Sequence, residues 1–174
     1  MLDVSRLEAG RLPVEIREVN IAELLDEIAT ETQELRREKP RLSFTWRITS
    51  DAPLLYTDRV KLKVVLKNLL SNAVKFTDEG SVTLAVCARD EGMEFCVTDT
   101  GIGIAPEARP VLFEMFQQGD SSMTRRHEGV GLGLYIVKRM LELLRGTVTV
   151  ESEVGRGSTF RVWVPQDVLL RVKN

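Results

Sequence analysis

Residues 81 to 99 constrain the fold more than any other stretch. "SVTLAVCAR" and "MEFCVTD" are two strand-like runs, and Asp90, Glu91 and Gly92 stand between them with the chemistry of a hairpin turn. A strand pair with one apolar face has to bury that face against a second layer. The rest of the chain supplies it.

Asn20 is placed to N-cap a helix from Ile21 to about Arg37, stopped before Pro40. "LSFTWRI" puts Leu42, Phe44, Trp46 and Ile48 on one face and Ser43, Thr45 and Arg47 on the other, the period of a strand with one wet side. Tyr56 to Phe76 reads as the longest helix, and another is expected from about Leu132 to Leu144. "VEIREV" alternates as a short strand, while "TVTVES" and "STFRVWV" form a second hairpin around "EVGRG". Pro106 to Glu128 lacks strong periodicity and is expected to be mostly loop, with a turn of helix around Val111 to Phe116. A loop of that length inside a domain tends to be a functional lid. Leu2 to Leu12 is a helical scrap too short to stand alone and reads as the end of something longer. Gln166 to Asn174 reads as a linker stub. The expected class is α+β: a two-layer sandwich with a mostly antiparallel sheet and three main helices on one face.

Composition bounds the function. With 174 residues, 43% of them hydrophobic, the chain can bury one core as a single domain. A formal net charge of −2 with both signs spread along the chain gives no basic stripe, which sets nucleic acid aside as a partner. No apolar run approaches membrane-spanning length and the first residues lack a signal-peptide layout, so a cytoplasmic fragment without membrane contact is expected, whatever anchors the parent protein. Cys87 and Cys96 have no CxxC spacing and no histidine beside them, which points to packing in a reducing compartment.

Three segments carry chemistry. In "NLLSNAVKF", Asn68, Asn72 and Lys75 fall at i, i+4 and i+7, within roughly 60° of one another on one helix stripe. That stripe is either a solvated face or a pair of amide oxygens and an ammonium offered to one ligand, for which a magnesium triphosphate is chemically suited. In "DTGIGIAP", Asp99 alone would be turn chemistry. Facing a base, however, its carboxylate is a pure acceptor that takes the exocyclic amino group of adenine and repels the carbonyl of guanine. Gly101 and Gly103 would let the backbone approach. In "GVGLGLYIVK", Gly129, Gly131 and Gly133 precede an apolar helix whose free N–H groups could receive phosphate. "SSMTRRHE" before it is no apolar strand, against a dinucleotide fingerprint, and the absence of any Gly-Lys pair excludes a Walker-type loop.

Together the segments resemble the catalytic, ATP-binding domain of sensor histidine kinases, in the GHKL superfamily with the Bergerat fold. "NLLSNAVKF" resembles the asparagine box, "DTGIGI" the first glycine box, "FEMF" the phenylalanine box and "GVGLGLYIVK" the second glycine box, in the family's order. "GSTF" resembles the segment of the last hairpin that closes the adenine pocket. The resemblance implies a catalytic domain over residues 13–165 with a lid at about 106–130, a dimerisation-helix end over 1–12, and a tail over 166–174. It implies Asn68 and Asn72 as magnesium ligands, Lys75 as the phosphate-contacting lysine and Phe76 as the aromatic beside the base. Asp99 would read adenine, supported by Gly101, Gly103 and Ile104. Thr159 would help bind the base through its hydroxyl. Gly129, Leu132, Gly131, Gly133 and Leu134 would form the hinge and phosphate cradle, and Phe113 and Phe116 would anchor the lid. The implied cofactors are ATP and magnesium. The implied partners are a histidine-bearing dimerisation domain of the same protein and a response-regulator receiver domain, with this fragment monomeric.

The lid departs from the pattern: Glu128 and Val130 stand where many relatives carry glycine and threonine, and Arg125 and Arg126 could compensate by reaching the terminal phosphate. His127, the sole histidine, reads as exposed lid and not as phosphoacceptor. Two alternatives remain. A water-activating GHKL ATPase would carry a glutamate at Asn68, which cannot be replaced by an amide as a proton acceptor. A degenerate kinase domain serving as an interaction module rests on the altered lid alone.

Overall fold

The computed structural model describes residues 12–49, 54–114 and 130–169. The expected helical start, Phe116, Arg125, Arg126, His127, Glu128, Gly129 and the last five residues lie outside them.

Five strands form one sheet in the order β2-β4-β5-β7-β6: β2 (Leu42–Ile48), β4 (Gly80–Arg89), β5 (Gly92–Asp99), β7 (Gly157–Pro165) and β6 (Thr147–Glu153). Within it only β2 and β4 run parallel; β4–β5 and β6–β7 are antiparallel as the two expected hairpins require, and the two hairpins join antiparallel through β5 and β7. Helices α1 (Ile21–Glu31), α3 (Arg59–Lys75) and α4 (Val130–Leu143) cover one face of it. Leu66 and Leu69 of α3, Val137 of α4, and Phe95, Val97 and Val162 of the sheet are almost wholly removed from water. These residues meet because each element carries one apolar face at its own period.

The β4–β5 turn is tighter than the sequence suggested. Asp90 and Glu91 alone make it, both with positive φ (47° and 58°), the handedness that matches strand twist. Gly92 already pairs with Arg89. A side chain there would collide with the Val164 carbonyl and the Trp163 indole of β7, so the glycine serves strand packing.

The helix expected from Tyr56 begins later. Leu55–Thr57 is a strand, β3, paired antiparallel with β1 (Arg17–Val19), and the Tyr56 N–H donates to Gln166 O at 2.7 Å. Long-range pairing overrides helical periodicity there. Asp58 is the true N-cap, accepting from the Lys61 N–H at 3.1 Å. Asn20 caps α1 as expected. The helix breaks at Thr32, whose hydroxyl bonds back to Ile28 O at 2.7 Å, and resumes as the short α2 (Gln33–Arg37).

Pro106–Val111 forms a short 3-10 helix, a turn earlier than expected, with proline at its start. Helix α4 starts at Val130, so Gly131 and Gly133 lie within its first turn and not before it. Beyond Pro165 the chain stays docked through Gln166 and the buried Val168. The cysteines face away from the helices, on the open side of the sheet. There the Cys96 thiol donates to Glu94 at 3.2 Å, and burial followed by this carboxylate pushes it up to about 11.

Candidate functional site

A pocket opens between the end of β5, α3, α4 and β7, lined by Asn72, Phe76, Asp99, Ile104, Leu134 and Phe160 among others. Its walls are apolar, and a few polar groups converge on them, which is the usual make-up of a small-molecule site.

Asp99 ends β5 on the helix-facing side and is 7% exposed. Its Oδ1 accepts the Gly101 N–H at 2.9 Å. Burial raises the carboxyl above the ordinary aspartate range, against the opposing pull of the Gly101 and Ser158 N–H groups. The Thr77 hydroxyl, buried beside it without a hydrogen-bond partner, is near enough to favour the ionised form but outside bonding geometry. The carboxyl is thus pre-aimed and short of solvation, ready for a donor from a ligand.

The glycines that follow have a structural cause besides the expected one. A side chain at Gly101 would strike the Phe76 carbonyl, and one at Gly103, where φ is +76°, would strike Glu153 O. These glycines let the loop lie against protein backbone on both sides, which places Ile104 in the pocket wall.

On α3, Asn68 and Asn72 are half-buried and Lys75 is exposed, on the stripe opposite Leu62, Leu66, Leu69 and Ala73. The Asn68 Nδ2 donates to Val64 O at 2.7 Å, and its Oδ1 faces Gly133 of α4, 3.1 Å from where a side chain would begin. The Asn72 Nδ2 is buried and unpartnered while lining the pocket. The Lys75 ammonium lies 5.7 Å from the centre of the Phe76 ring. No cluster of three His, Cys, Asp or Glu occurs among the described residues. The Asn68 and Asn72 side chains, one helical turn apart and half-buried, offer amide oxygens of the hard type that suit a cation whose remaining ligands are phosphate and water. Asn68, Asn72, Lys75, Phe76, Asp99 and Gly133 all come to one end of α3 and α4.

Leu134 is buried in the pocket wall, whereas Leu132 is 42% exposed. Phe113 packs edge-on against Phe160 of the pocket wall, ring centres 6.3 Å apart.

Thr159 requires a correction. It lies on the open side of the sheet, its hydroxyl 3.2 Å from that of Thr98, and does not line the pocket. Ser158 does, 7% exposed and in register with Asp99. The period of two could have shown this: Phe160, Val162 and Val164 are the core-facing residues, so Ser158 shares their face and Thr159 does not. Also missed was Ser152, whose hydroxyl accepts the Ile104 N–H at 2.7 Å.

Comparison with known proteins agrees with this geometry. The family described as "Histidine kinase-, DNA gyrase B-, and HSP90-like ATPase" matches residues 57–168. The chain is 39% identical over 176 residues to the circadian input-output histidine kinase CikA of Synechococcus elongatus, covering 98% of this chain and 23% of that protein. It is 37% identical over 166 residues to the signal transduction histidine-protein kinase BarA of Escherichia coli, covering 92% and 18%. The chain thus spans about a fifth of the length of these relatives. Among solved structures, full-length ShkA in complex with AMPPNP aligns with a TM-score of 0.81 at 36% identity, over 92% of this chain and 33% of that one. The nucleotide-free catalytic domain of the histidine kinase ThkA shares the fold, with a TM-score of 0.75 at 24% identity over 89% and 98%. A pocket with a buried acid, an asparagine stripe and two glycine segments in this order, together with those matches, shows that the chain belongs to the histidine kinase-, DNA gyrase B- and HSP90-like ATPase family, as an ATP-binding catalytic domain of the histidine-kinase kind.

Proposed function

We propose that this domain binds magnesium ATP and presents the terminal phosphate to a histidine on a dimerisation hairpin of the same protein, from which a response-regulator receiver domain would take it. The observation that carries the reading is the buried Asp99, an acceptor facing an apolar pocket that also holds the unpartnered Asn72 amide.

The residues divide the work. Asp99 reads the amino edge of adenine and Phe76, Ile104 and Leu134 exclude water around the ring. Asn68 and Asn72 would hold magnesium, which when bound neutralises phosphate charge. Lys75 supplies a further positive charge, and Gly131 and Gly133 let the first turn of α4 approach the phosphates with its free N–H groups. Phosphoryl transfer demands positioning and charge neutralisation more than covalent help, so this equipment suffices. Asn68, an amide, is unsuited to activating water as a base, which favours transfer over hydrolysis. We assign residues 13–165 to the catalytic domain with its lid at about 106–130, residues 1–12 to the end of the hairpin helix and 166–174 to a tail. We assign the active portion of the parent to the cytoplasm because the proposed reaction consumes ATP. Separately, no helix among the described residues is long and apolar enough to cross a membrane.

Incubating the chain with γ-labelled ATP, magnesium and the separately expressed histidine hairpin tests the reading. Label should move to the hairpin and stop moving in Asn68→Ala. Steady phosphate release with no labelled hairpin would overturn it in favour of a water-activating ATPase.

A further inference from the structure

Asp99, Ser158 and Ser152 form a row across three neighbouring strands. Asp99 is in register with Ser158 on β7, and Ser158 with Ser152 on β6. The row lies at the sheet end where the loop after β5 crosses, and that loop is fastened to it. The Ile104 N–H donates to Ser152 Oγ at 2.7 Å, Arg109 donates to Ser152 O, and the Gly155 N–H donates to Ile102 O at 2.8 Å. Ser152 Oγ is also 2.9 Å from Gly157 O and 2.8 Å from Ser158 Oγ.

A hydroxyl has one proton and two lone pairs. The Ser152 oxygen already accepts from Ile104. If its proton goes to Gly157 O, a carbonyl that can only accept, the contact with Ser158 must be made by the Ser158 proton. Both short contacts are then hydrogen bonds at once, and Ser158 has no proton left for the pocket. If the Ser152 proton went to Ser158 instead, the approach to Gly157 O would be two acceptors 2.9 Å apart. The first arrangement satisfies every group and the second does not.

We propose that Ser152, which does not itself line the pocket, is a specificity-determining residue that holds the Ser158 hydroxyl as an acceptor. The wall facing the base then consists of two acceptors, the Asp99 carboxylate and Ser158, and it selects an amino group and rejects a carbonyl. This inference rests on the adenine reading of the pocket. Removing the Ser152 hydroxyl frees the Ser158 proton, which can then be donated to the carbonyl of a hypoxanthine or guanine base.

The test is calorimetric titration of wild type, Ser152→Ala and Ser152→Thr with ADP and with IDP, which differ at the group in question, alongside hydrogen exchange at the Ile104 amide. In Ser152→Ala the preference for ADP over IDP should fall at least about fivefold, the size expected from one hydrogen bond changing sign. The Ile104 amide should exchange faster, and Ser152→Thr should keep both properties near wild type. Equal weakening of both nucleotides in Ser152→Ala would reduce Ser152 to a structural strut and overturn the proposal. So would an unchanged preference. Wild type that binds neither nucleotide would sink the adenine reading itself, a result separate from either of these.

Discussion

The Lys39 ammonium sits on the end of helix α3, 3.3 Å from the carbonyl oxygen of Lys75, the residue assigned to phosphate. It also donates to Thr77 O at 3.3 Å and to Asp78 at 2.9 Å. Lys39 thereby satisfies carbonyls that a helix end leaves open and sets a positive charge against the negative end of the helix dipole.

Lys39→Met should therefore loosen the segment that carries Lys75, Phe76 and Thr77. The expected cost is about 1 kcal/mol of stability, with faster amide exchange over residues 75–78 and weaker nucleotide binding. The Asp78 partner is 95% exposed and should contribute little, so Asp78→Ala should leave both nearly unchanged. Thermal melts and hydrogen exchange on the two variants check this.

Asp58 and Lys61 form a buried staple. They are 3% and 9% exposed, 2.8 Å apart, and Lys61 also donates to Pro13 O at 2.6 Å while Asp58 accepts the Glu15 N–H. Lys61→Met strands a buried carboxylate and should cost about 3 kcal/mol. Burial alone would raise the Asp58 pKa, but the Lys61 ammonium and the Glu15 and Lys61 N–H groups outweigh it and hold the value low. A depressed folded-state value means that this stability is present above the ordinary aspartate range and is lost as pH falls below it. Denaturant midpoints followed down the acid range should show that loss in wild type and lack its Asp58 part in Asp58→Asn.

Asp99 has the opposite sign. Its folded-state carboxyl is raised by burial, so the native protein binds the proton more tightly than the unfolded chain and its cost to the fold is relieved as pH falls. Nucleotide affinity should move the other way, because a protonated Asp99 is no longer a pure acceptor. Acidification should thus weaken nucleotide binding at a pH above the ordinary aspartate range while this residue's contribution to stability improves. Parallel binding and melting curves against pH, with Asp99→Asn as the reference, separate the two.

Gly103→Ala should be destabilising by about 2 kcal/mol or more, since a side chain at positive φ would also press on the Glu153 carbonyl. Gly155, with positive φ but open space around it, should cost less when changed to alanine. Comparing the two melting temperatures distinguishes close approach from backbone strain alone.

The hairpins, the α1 cap and the α3 stripe were legible because each depends on residues a few positions apart. The strand at Leu55–Thr57 was not, because its partners Arg17–Val19 and Gln166 are distant in sequence. At the site, Asp99 and Asn72 could be found from type and spacing. Ser158 was obscured by its neighbour Thr159, and only the face of β7 tells the two hydroxyls apart. Ser152 left no chemical signal at all: its part comes from the register of three strands and a loop that crosses them.

The central claim is that Asp99 makes this pocket a reader of adenine, and calorimetric titration with AMPPNP and magnesium tests it most directly. Wild type should bind AMPPNP and not the guanine analogue GMPPNP, and Asp99→Asn should lose affinity by about 10- to 100-fold, the value of a hydrogen bond to a charged group. Equal affinity of wild type and Asp99→Asn, or equal affinity for the two nucleotides, would contradict it.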